Sequence, residues 1–107
     1  MNDEEKRQKF QSVMARLSAD YLARLADKAR ELERALIAAR SGGSDEYEVV
    51  GRLIHRLAGS AGSFGVHDVS EQANALDTRL HDDTNTLADL DSDIVSFIEL
   101  LDRRSTA

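Results

Sequence analysis

His55 stands in the run Leu53-Ile54-His55-Arg56-Leu57-Ala58-Gly59-Ser60, and the residues that share its helical face carry almost no side chain. An imidazole with a pKa near 6.5 is mostly neutral at pH 7, so one ring nitrogen offers a lone pair. That nitrogen can serve as a nucleophile, a general base or a metal ligand. At about 100° per residue, Val50, Leu53, Leu57 and Ala61 fall on one apolar stripe with Ile54 at its edge, and His55 points about 155° away from its centre. Three, four and seven residues from His55, on its own face, lie Glu48, Gly51, Arg52, Ala58, Gly59 and Gly62. Glycine costs roughly 1 kcal/mol relative to alanine inside a helix. The three glycines here therefore cost about 3 kcal/mol, against a domain stability of roughly 5–15 kcal/mol. A cleared platform that lets another protein's surface reach the imidazole would offset that cost.

The other chemistries fit less well. A general base needs a substrate pocket, and one face of a helix predicts a flat, open site. Metal sites in helical bundles use Glu-x-x-His pairs facing inward, and no such pair occurs in the sequence. His67 and His81 fall near opposite ends of another predicted helix, away from ligand spacing. No metal and no resident cofactor are expected. A nucleophile that accepts a group delivered by another protein fits best. Phosphoryl is the natural group, because an open site supplies no cavity for anything larger.

The elements that must position His55 are all helical. The chain has 107 residues, 41% hydrophobic and without proline, tryptophan or cysteine. That suits a single domain over residues 1–107 with one modest core. Phe10, Val13, Met14 and Leu17 predict a short first helix over roughly 3–16, with Ser18 as N-cap of a second over roughly 19–40. Ser41-Gly42-Gly43-Ser44 ends that helix, and Ser44 is expected to cap the third, which carries His55 to about Gly62. Ser63-Phe64-Gly65 is a tight connection. Val66, Val69, Ala73, Leu76 and Leu80 predict a fourth helix over roughly 67–81, and Leu87, Leu90, Ile94, Phe97 and Leu101 a fifth ending near Arg104. No segment alternates as a strand would. The expected architecture is an all-α, antiparallel four-helix bundle, with the additional short N-terminal helix covering one end.

Formal net charge is −6, which argues against nucleic acid as a partner. Residues 1–6 are charged, with no apolar stretch, and no apolar run approaches the roughly 18 residues of a membrane span. A monomer in the cytoplasm, away from any membrane, is expected.

The run from His55 through Ala58-Gly59-Ser60 to Gly62 and Gly65 resembles the signature of histidine-containing phosphotransfer domains. That signature is His-x-Leu-Lys-Gly-Ser followed by a second glycine that ends the helix. Val69, Ala73, Leu76 and Asp77 resemble the apolar positions and terminal acidic residue of the family's next helix. The resemblance implies a phosphorelay intermediate. His55 would take a phosphoryl group from an aspartyl phosphate on a receiver domain, of a response regulator or a hybrid kinase, and pass it to another receiver. Mg²⁺ would belong to the receiver alone. Gly59, one turn after His55, would leave room for the phosphoryl group, and Glu48, Gly51, Arg56 and Gly62 would border the docking partner. The sequence departs from the signature at Ala58, where the family has lysine. Arg52, one turn before His55, is placed to supply the missing charge, with Arg56 further round the helix. Asp77 would bond the imidazole Nδ1–H, fixing the tautomer that leaves Nε2 free, with Asn74 as the alternative. The opposing reading, which Ala58 sustains, is a bundle that docks a receiver or kinase without transferring anything.

Overall fold

The computed structural model describes residues 2–106, apart from the side chain of Ser44. Four helices follow one another, α1 (Asp3–Arg40), α2 (Ser44–Ser63), α3 (His67–Leu80) and α4 (Leu87–Ser105), with no strand among the described residues. α1 packs on α2 and α4, and α3 packs on the same two, so the four enclose a single core. Phe97, Leu25, Leu32, Leu36, Ile54, Leu90, Ile94 and Leu101 are its largest fully buried side chains.

The separate N-terminal helix expected over 3–16 does not exist. α1 runs unbroken from Asp3 to Arg40, so among the described residues there are four helices rather than four plus one. Arg16-Leu17-Ser18-Ala19 contains neither glycine nor proline, and a serine between good helix formers does not by itself start a helix. Ser18 instead donates from Oγ to the carbonyl of Phe64, 3.5 Å away, where α2 ends. Tyr21 marks the same level: it stacks on Phe64 with ring centroids 4.7 Å apart, and its hydroxyl lies 2.7 Å from Ser60 Oγ. The turns before it do not fold back over the bundle. Phe10 remains 64% exposed, and Val13 and Leu17 are also on the surface. The resulting rod accounts for the molecule's 58 Å long axis.

The helix ends follow local chemistry. Asn2 accepts from the backbone of Glu5 at 2.8 Å, beneath an acidic first turn of Asp3, Glu4 and Glu5. Gly43 holds the N-cap position of α2 that Ser44 was expected to fill. α2 stops in a Schellman turn: Gly65 takes φ +76°, and Val66 N–H donates to the Ala61 carbonyl at 2.8 Å. Only a residue at ease with positive φ closes a helix this way. Val66 is buried, which ties the start of α3 to the core. At α4, Thr86 and Asp89 form a reciprocal capping box, and the donors of Thr86 hold the Asp89 carboxyl below the usual range.

Candidate functional site

His55 lies midway along α2, on the side that faces α3 and solvent. Its side chain is 71% exposed, and its Nδ1 is 2.9 Å from Oδ2 of Asp77 on α3. Asp77 is far less accessible, at 17%. A carboxylate oxygen only accepts, so this nitrogen carries the proton, and the lone pair of the neutral ring sits on Nε2. Asn74, the other residue weighed for this contact, turns instead toward Ser70, with Nδ2 3.5 Å from Oγ.

The platform divides into an open part and a closed part. A Cβ built on Gly51 or Gly59 would meet nothing within 4 Å, so both glycines face free space. Gly62 is different: its Cβ would come within 3.1 Å of Ser70 Oγ, so it serves the approach of α3 as well as bordering the surface. Ala58 is not on the open face at all. It is 7% exposed and belongs to the core, and its carbonyl accepts from Ser70 Oγ at 3.0 Å. The cause is a shift of the buried stripe. Ile54 is completely buried while Leu53 is only partly so, which turns the inward face toward Ile54 and draws in Ala58, about 60° from His55 around the helix.

The site is also less flat than the sequence suggests. A hollow of about 550 Å³ opens beside the imidazole, lined by Tyr47, Glu48, Gly51, Arg52, His55, Arg56, Leu80 and His81. The missing side chain of Gly51 helps to make it. Arg52 and Arg56 are both exposed at its edge, so cations flank the ring on the α2 side. Arg56 also lines a groove between α1 and α2. The Tyr47 hydroxyl is pushed up from its ordinary pKa by burial and by the charge of Asp89, which keeps it protonated. Leu80 and His81 were not anticipated as site residues. The available signal was spacing: His81 follows Asp77 by four residues and so shares its helical face.

Together these residues make a proton-fixed imidazole with an exposed second ring nitrogen, beside a hollow edged by Arg52, Arg56 and Glu48 and with open space at Gly59. No helix is long and apolar enough to cross a membrane among the described residues. Comparison with curated proteins and with solved structures gives no match. The family model described as Hpt domain matches residues 16–106, beginning where α1 joins the bundle. The chain therefore belongs to the Hpt domain family, which carries phosphotransfer in two-component phosphorelays.

Proposed function

We propose that His55 is the phosphoacceptor and that the domain relays phosphoryl groups between receiver domains. The observation that carries this reading is the 2.9 Å contact between His55 Nδ1 and Asp77 Oδ2 on a ring that is 71% exposed. Nε2 attacks the phosphorus of a receiver's aspartyl phosphate. An N–P bond forms, the P–O bond to the aspartate breaks, and the receiver's carboxylate leaves with the electron pair. The ring keeps its Nδ1 proton and becomes a phosphoimidazolium, whose positive charge the Asp77 carboxylate stabilises. Donation to a second receiver reverses the same exchange of bonds. Mg²⁺ is held by the receiver. Gly51 and Gly59 leave the approach open, and Glu48, Arg56 and the exposed edge of Gly62 border the docked partner.

An antiparallel bundle supports this arrangement. Arg30 reaches Asp102 and Arg40 reaches Asp91, so rising positions on α1 meet falling positions on α4. Such alternation sets α2 and α3 side by side with the turn at Gly65 at one end.

The direct test is incubation with a receiver domain charged on its aspartate. Label that is acid-labile and base-stable, and that appears on this chain, supports transfer to histidine. Tight receiver binding with no label would favour the docking-only reading that Ala58, in place of the family's lysine, keeps open.

Arg52 is expected to supply the charge that Ala58 does not. A charge-assisted hydrogen bond to a phosphoryl oxygen is worth roughly 1.5–3 kcal/mol when well formed, and solvent exposure lowers it to about 1 kcal/mol. Arg52→Ala should therefore slow transfer about fivefold in a rapid-quench assay. Ala58→Lys in that background should restore part of the rate, because a lysine stem can follow the α2–α3 seam and carry its ammonium out to solvent. A double variant no faster than Arg52→Ala would show that charge beside His55 does not limit the reaction.

A further inference from the structure

Asp77 serves two imidazoles. Oδ2 meets His55 Nδ1 at 2.9 Å, Oδ1 lies 3.5 Å from His81 Nδ1, and the Asp77 backbone carbonyl is 2.7 Å from that same His81 nitrogen. A ring nitrogen set between two acceptor oxygens carries the proton. His81 thus presents Nδ1–H to Asp77, as His55 does. Asp77 Oδ1 is buried and has no hydrogen-bond partner, and the polar atom set beside it is His81 Nδ1, 3.5 Å away, whose own hydrogen bond goes to the Asp77 carbonyl.

The position of Asp77 explains why it needs such a clamp. α3 ends at Leu80 with His81 as C-cap, and the His81 backbone N–H also donates to the Asp77 carbonyl, at 3.2 Å. A carboxylate in the last turn of a helix faces the negative end of the macrodipole. The backbone of α3 therefore gives Asp77 no electrostatic reason to stay where it is. We infer that His81 is a positioning residue for phosphotransfer: its ring, fixed by the hydrogen bond from Nδ1 to the Asp77 carbonyl and 3.5 Å from Oδ1, confines the Asp77 carboxylate so that Oδ2 keeps His55 in the Nδ1–H tautomer, with Nε2 free. This inference rests on His55 as the accepting residue. Without His81, the Asp77 side chain gains rotamers that leave His55, and the Nε2–H tautomer, whose lone pair sits on the wrong nitrogen, gains population.

His81→Ala and His81→Asn test this in the full chain. Asparagine places an amide donor where the imidazole Nδ1 was. Nitrogen-15 NMR at pH 8 reads the tautomer of His55, and a charged receiver domain reads transfer. The expected result is a lower Nδ1–H fraction in His81→Ala, transfer slowed about fivefold, and recovery of both in His81→Asn. An unchanged His55 tautomer and an unchanged rate in a helical His81→Ala variant would overturn the inference. So would equal slowing in both variants, since that would assign His81 a role in packing alone. Label that persists on His55→Gln would instead count against the reading of His55, which keeps the two failures distinct.

Discussion

Replacing His55 with glutamine should abolish phosphoryl acceptance while leaving helix content and melting temperature nearly unchanged. The imidazole is 71% exposed, and its one side-chain hydrogen bond, to Asp77, is at the surface. Removing it costs stability within roughly 1 kcal/mol. Glutamine keeps polarity and length but has no nucleophilic ring nitrogen. His67→Gln should accept at the native rate. His81→Gln should still accept, more slowly, because it disturbs Asp77 and leaves the nucleophile in place. Retention of acid-labile label on the His55 variant would show that another residue accepts the group.

Gly59→Leu should move stability and function in opposite directions. No atom stands within 4 Å of the added Cβ, so the side chain enters free space in the isolated domain. Helix propensity then raises stability by up to about 1 kcal/mol, read as a higher melting temperature. The same isobutyl group occupies the approach to His55 one turn away, and a clash at a docking surface of about 1.4 kcal/mol or more slows transfer by about tenfold or more. Gly59→Ala should show the same signs with smaller amplitude. A leucine here that left the transfer rate intact would remove the case for an access platform.

Much of this site was legible in the sequence, because it depends on helical periodicity and on small residues. The apolar repeats of α2, α3 and α4 located those helices to within a residue or two at most ends. Gly51 and Gly59 were readable as an open face, and Asp77 as a neighbour of His55 from the family resemblance. The failures share one cause, which is that they depend on what packs against an element. Ser18 reads as a cap until α1 is seen to continue through it to meet Phe64. Ala58 reads as exposed if the stripe is centred using Leu53, but Ile54 is the fully buried residue of the two, and Ser70 of α3 covers Ala58 from the same side. Gly62 faces a neighbour because Ser70 arrives beside it. His81 becomes informative only once α3 is known to end there.

The seam between α2 and α3 has a mechanical consequence. His55 is on one helix and its carboxylate partner Asp77 is on the other, and the two helices are joined by a turn built on Gly65. From that turn to Asp77 the axis of α3 runs about 15 Å at 1.5 Å per residue. A swing of about 4° displaces the carboxylate by about 1 Å, which is enough to break its hydrogen bond. The close approach of Ser70 to Gly62, which leaves little room for a side chain there, lies near that turn and would act as the bearing of a lever whose far end carries the carboxylate that fixes the imidazole.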